Sequence, residues 1–139
     1  MATTVIEDAY GHRNPGGQAG TALAAGAVST TAVGTIAPTT AAGATPTVTA
    51  VVANDTRGSF TLNPVTGGGA QATGNVVVVT FAQPYGVAPS AVNCNLFNQA
   101  GNVALAVAAT GITVAGFSIA VGTVLTTANN YTVSYVVTP

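Results

Sequence analysis

From residue 47 onward, apolar and polar side chains alternate in short blocks. Thr47–Asn54 is rich in β-branched residues, and 58–65 alternates with Phe60 and Leu62 on one side. Residues 75–82 contain the run Val76, Val77, Val78, Val79, which fits a strand covered on both faces. Residues 91–98 set Val92, Cys94 and Leu96 against Asn93, Asn95 and Phe97, and 103–109 set Val and Leu against Ala. Residues 112–121 place Phe117, Ile119 and Val121 at period two. Residues 131–137 set Tyr131, Val133, Tyr135 and Val137 against Thr132, Ser134 and Val136. Period two is the mark of half-buried strands. The breaks carry turn chemistry: NDTRG (54–58), TGGGAQATG (66–74), QPYGVAPS (83–90), NQAGN (98–102), TG (110–111) and TTANN (126–130). Pro84 and Pro89 fall between strands, where a missing N–H does no harm. No βαβ rhythm is present. The pattern predicts an all-β fold, an antiparallel β-sandwich of about seven strands in the jelly-roll manner, over residues 47–139.

Residues 1–46 read differently. After a charged opening, the chain runs through Ala, Gly, Thr and Val up to Ala44. Gly20, Gly26, Gly34 and the cluster Ser29, Thr30, Thr31 disfavour a helix over this stretch. It holds few large side chains to offset the entropy of ordering. The expectation is an extended N-terminal arm that orders against a partner.

Charge sharpens the picture. The charged side chains are Glu7, Asp8, Arg13, Asp55 and Arg57, 4% of the 139 residues, where soluble domains carry about 25%. From Gly58 to the C-terminus there is no Asp, Glu, Lys, Arg or His. Two arginines cannot form the cationic cluster that phosphate binding needs, so nucleic acid is not an expected partner. The apolar content is Ala and Val interleaved with Thr, Gly, Asn and Ser, without a run long enough for a transmembrane helix, so no membrane partner is expected. The opening carries acidic residues early and has no basic stretch followed by an apolar one, so no secretory signal is expected. Cys94 is the one cysteine and cannot form an intrachain disulfide; its alternation with Val92 and Leu96 suggests a small buried hydrophobe.

Candidate chemistry is sparse. General acid–base work needs a titratable group in a shaped site, and the domain offers Asp55, Cys94 and tyrosines. No carboxylate pair is available for glycoside hydrolysis, and a Ser-His-Asp set would have to recruit His12 from the arm. The domain has no His and one Cys, so it cannot build a zinc cage. No catalytic residue, metal or cofactor is therefore expected. Gly67, Gly68 and Gly69 lead into Ala70 and Gln71 rather than a phosphate-loop Lys, and read as a hairpin loop. Two contact sets remain. Glu7, Asp8, Tyr10, His12 and Arg13 are candidates for fixing the arm on a neighbouring subunit. Asp55, Arg57 and Tyr85 are candidate loop contacts. Asp55 and Arg57 flank a turn, where they are expected to pair at the surface or to bond the turn backbone. Tyr85, in QPYGVAP, is the expected exposed aromatic.

Two segments carry a resemblance: NVVVVTFAQPYGVAPSAVNCNL (75–96) and GITVAGFSIAVGTVLTTANNYTVSYVV (111–137). Their strand–Phe–x–x–Pro–Tyr pattern, later Gly-Phe inside a strand and closing Tyr-rich strand resemble a β-sandwich module of phage tail and head fibres. H-type lectin domains show a similar scheme. The resemblance implies a virion-surface protein, a homotrimer and, for the lectins, sugar binding through polar loop residues. The small-residue arm resembles those of phage capsid decoration, or cement, proteins. The expected function is therefore a non-enzymatic capsid decoration protein on the virion surface, with the major capsid protein as partner. The alternatives are a receptor- or glycan-binding fibre module and a bacterial surface adhesin.

Overall fold

Alternating strands with one apolar face are stable only when two such faces are pressed together. The computed structural model describes Ile6–Glu7 and Arg13–Asn14 as backbone, Ser29, and residues 32–64 and 71–139. Among these residues the chain is an all-β antiparallel sandwich of two sheets, four strands against five. In chain order the strands are β1 (Ile6–Glu7), β2 (Arg13–Asn14), β3 (Thr35–Pro38), β4 (Thr47–Ala53), β5 (Arg57–Asn63) and β6 (Gly74–Thr80). There follow β7 (Ala91–Asn98), β8 (Val103–Leu105), β9 (Val107–Thr113), β10 (Gly116–Val121) and β11 (Tyr131–Thr138). One sheet has the order β3-β6-β10-β9, the other β4-β5-β11-β7-β8, and β1 pairs with β2 separately.

The faces turned inward are the ones the alternation marks. Phe60 and Leu62, Val77 and Val79, Val92 and Leu96, Phe117, Ile119 and Val121 are all buried, with Tyr131, Val133, Tyr135 and Val137 of β11. Their partners across the five-stranded sheet are in simple register, Tyr131 opposite Leu62 and Asn98, Val133 opposite Phe60 and Leu96. A line of rings crosses the core: Tyr85 against Phe81 at 4.8 Å, Phe81 against Phe117 at 5.8 Å, Phe117 against Tyr135 at 5.2 Å. Edge-to-face and tilted pairs of this kind add to simple burial.

Three local readings are corrected. Thr35–Pro38, upstream of residue 47, is the edge strand of the four-stranded sheet, paired with β6, and the 3-10 turn after it buries Ala42. The block 103–109 is split: β8 belongs to one sheet and β9 to the other, so the chain changes sheets at Ala106. The pair Thr110-Gly111 is no turn but a bulge inside β9, with Gly111 at φ 58; the hairpin turns instead at Val114 and Ala115. The loop around Gly67, Gly68 and Gly69 lies outside the described residues.

Candidate functional site

The turn between β4 and β5 carries the one buried charge among the described residues and the hydrogen bonds that hold it. Asn54 caps it: its Oδ1 accepts from the Thr56 amide at 2.9 Å, the Thr56 hydroxyl at 2.8 Å and the Arg57 amide at 2.9 Å. This is the local bonding for which Asn is favoured in turns. Capping turns Asp55 inward. It is fully buried, and its carboxylate accepts from three backbone amides: Ala82 at 2.7 Å, Ser29 at 2.8 Å and Gln83 at 2.9 Å. The Asp55 amide in turn donates to the Ser29 carbonyl at 2.9 Å. Two tyrosine hydroxyls complete the clasp, Tyr85 donating to the Asp55 carbonyl at 2.9 Å and Tyr135 to the Asn54 carbonyl at 2.6 Å.

Asp55 thus joins three stretches of chain: the β4–β5 turn, the segment after β6 and the residue at which the N-terminal segment meets the sandwich. A buried carboxylate is tolerated when amide dipoles take up its charge. Its negative charge and burial act together on the nearby phenols. Tyr85 is raised above the ordinary phenol range by burial and then by Asp55. Tyr135 is raised further, by burial first and by Asp55 second. The arrangement leaves Asp55 shielded from solvent and engaged with amides, a geometry for holding chain segments together.

Asp55 and Tyr85 are therefore not the surface contacts expected of them. Asp55 faces amides rather than Arg57, because the capped turn points it into the core. Tyr85 is buried because its ring packs on Phe81 and its hydroxyl reaches Asp55. Arg57 is exposed, as expected. Glu7 and Arg13 stand opposite each other in the β1–β2 pair. Asp8, Tyr10 and His12 lie outside the described residues. Burial pushes the Cys94 thiol up to about 11, in line with a part-buried packing role.

Sequence reasoning missed a groove of about 640 Å³ on the outer face of the five-stranded sheet. Its floor includes Ser59 and Ser134, opposite each other on β5 and β11, and Arg57 lies opposite Val136 one step along. Its apolar wall is Val51, Val52 and Val136, which are 47%, 78% and 54% exposed. The wall exists because β4 bulges. Ala50 adopts φ 49, and the register slips between Thr49 and Val52. The consecutive valines 51 and 52 then both reach solvent, where strict alternation would bury one. Among the described residues, the Ser59 and Ser134 hydroxyls and the Arg57 guanidinium have no hydrogen-bond partner. No group of three His, Cys, Asp or Glu that could hold a metal ion occurs among the described residues. No helix of the described residues is long and apolar enough to cross a membrane.

No protein-family model, curated protein or solved structure matches the chain. The class its own geometry defines is an all-β, two-sheet antiparallel sandwich.

Proposed function

We propose that this chain is a non-enzymatic assembly protein, a capsid decoration or cement protein that attaches to a phage head through its N-terminal arm and uncharged contacts. The observation that carries the reading is the clasp at Asp55. The one buried charge among the described residues fastens the root of the arm, Ser29, to the sandwich. An arm fixed at its root and long enough to reach a neighbour gives a high effective concentration for the second contact, so modest contacts combine into durable attachment. Exposed Val51, Val52, Val87, Val103 and Val136 on a surface with few charges suit contact by shape and apolar burial. The partner is the major capsid protein, and the protein itself is a homotrimer, since closed cyclic symmetry covers such patches without open-ended growth.

The test is rebinding to stripped heads. Deletion of 1–28 removes the arm but keeps Ser29, β3 and the buried Ala42, so the sandwich stays folded. Full-length protein should restore the thermal stability of the heads, and the deleted form should bind poorly. Equal binding by both forms would remove the arm from the account. Failure of both to bind heads, with binding to host cells instead, would replace it by a receptor-binding fibre module.

A further inference from the structure

We infer that the groove at Arg57 is where the sandwich itself grips the shell, and that its occupant is an acidic side chain on an extended segment of the capsid protein. The inference rests on the assembly reading above and adds to the arm a second, charged point of attachment. Charge complementarity supports it first. Asp55 and Arg57 are the charged side chains among the residues whose side chains are described. Asp55 is buried and engaged by three amides, so Arg57 is the one side-chain charge that the described surface presents. No described carboxylate lines the groove, and two serine hydroxyls in it have no partner among the described residues. A carboxylate answers both features: it accepts bidentately from the guanidinium fork and can accept from the hydroxyls. A single cation is too little for a polyanion such as nucleic acid.

The way the groove is built supports it second. Ala50 sits at φ 49, a conformation that costs a residue with a Cβ roughly 1–2 kcal/mol. What the strain produces is the register slip that turns Val51 and Val52 both outward. Exposed valines add nothing to the core; a bulge that exposes them re-aims side chains, as bulges beside binding sites do. The root of Arg57 is also fixed. Asn54 holds its amide at 2.9 Å, and the Tyr135 hydroxyl holds the Asn54 carbonyl at 2.6 Å. The guanidinium therefore projects from a rigid turn, as a preorganised contact requires. Shape supports it third. The groove begins at β4, the edge strand, and crosses β5 to β11, about 10 Å at the usual strand spacing. An extended chain covers that distance in about three residues. That is enough to set an acidic side chain on Arg57 and an apolar one against Val52 and Val136.

The test titrates full-length protein onto stripped heads whose surface carboxylates are either free or blocked as amides with a carbodiimide and glycinamide. Wild type, Arg57→Lys and Arg57→Glu are compared. All three should unfold at the same urea concentration, since the Arg57 side chain is exposed and has no hydrogen-bond partner among the described residues. On free heads Arg57→Lys should keep most of the binding and Arg57→Glu should bind about tenfold more weakly. Blocking should weaken wild type by a similar factor and leave Arg57→Glu unchanged or improved, the coupling expected of groups in contact. Equal weakening of both by blocking would separate Arg57 from the shell carboxylates and overturn the inference. Arg57→Glu binding free heads as well as wild type does would overturn it too, while leaving attachment by the arm standing. A Lys variant as weak as the Glu variant would overturn the acidic occupant. Wild type that binds neither kind of head fails this inference and the assembly reading together. Before heads are added, wild type and Arg57→Glu should sediment alike. A change of oligomeric state in the variant would give the groove to a second copy and overturn the shell as its occupant.

Discussion

Replacing Asp55 by Asn keeps the shape of the side chain and changes what it can accept. The carboxylate serves three amides, Ser29 and Gln83 through Oδ2 and Ala82 through Oδ1. The best Asn orientation points its carbonyl at Ser29 and Gln83 and its NH2 at the Ala82 amide. That sets donor against donor where the present bond is 2.7 Å. A buried amide left without an acceptor costs about 1–3 kcal/mol. The two retained bonds fall from charge-assisted to neutral strength, a loss of about 1 kcal/mol each. The expected total is about 3–5 kcal/mol, a large share of the roughly 5–15 kcal/mol by which domains are typically stable. In Tm this is a fall on the order of 15–25 °C for a domain of this size. With no Trp in the chain, far-UV circular dichroism or tyrosine fluorescence in a urea titration is the assay. A loss below about 0.5 kcal/mol, the range of ordinary surface substitutions, would refute the clasp.

Other expectations follow from the same packing. At Gly58 a Cβ would meet the Tyr135 ring, with Cζ at 2.7 Å, and Ala53 Cβ at 2.6 Å, so Gly58→Ala should destabilise by about 1–3 kcal/mol in the same titration. Tyr135→Phe leaves the Asn54 carbonyl without its 2.6 Å donor and should cost about 1 kcal/mol, also by urea titration. Cys94 should react slowly with a disulfide reagent near neutral pH in the folded protein and rapidly once unfolded, since burial lifts the thiol from 9.0 to about 11. That shift also fixes a sign: the folded protein holds the proton more tightly, so its contribution to stability is full below pH 9 and is lost as pH rises through about 11. The raised phenols of Tyr85 and Tyr135 act in the same direction, and denaturation titrations from neutral to strongly alkaline pH should show stability falling.

The sandwich is legible because its strands bury one face each, and a buried face writes itself into the sequence at period two. β5, β7 and β11 follow that rule, and their positions agree with the pattern. β3 alternates as well, with Ile36 and Pro38 half-buried between exposed Thr35 and Ala37, but four residues of Thr, Ile, Ala and Pro look like the small-residue chain before them. The split at Ala106 and the bulge at Ala50 depend on how two sheets meet and on backbone twist, which no side-chain period records. Asp55 looks like a surface turn residue because its partners are backbone amides 26 to 28 positions away, and an amide leaves no mark in the sequence. Tyr85 looks exposed from its Pro- and Gly-rich surroundings, yet that loop folds back over Phe81 and Asp55. The groove at Arg57 is hidden for the same reason as the bulge that builds its wall. Arg57 itself is legible, as one of the few charges in the chain.

The role proposed above would make the chain a stoichiometric component of a virion head. Purified heads, separated from tails and fibres, should be analysed by quantitative mass spectrometry for this chain against the major capsid protein. A fixed ratio of the two across preparations is expected, with the chain released before the shell comes apart on heating. Heads that lack the chain, with the chain recovered on tail fibres or host cells instead, would contradict it.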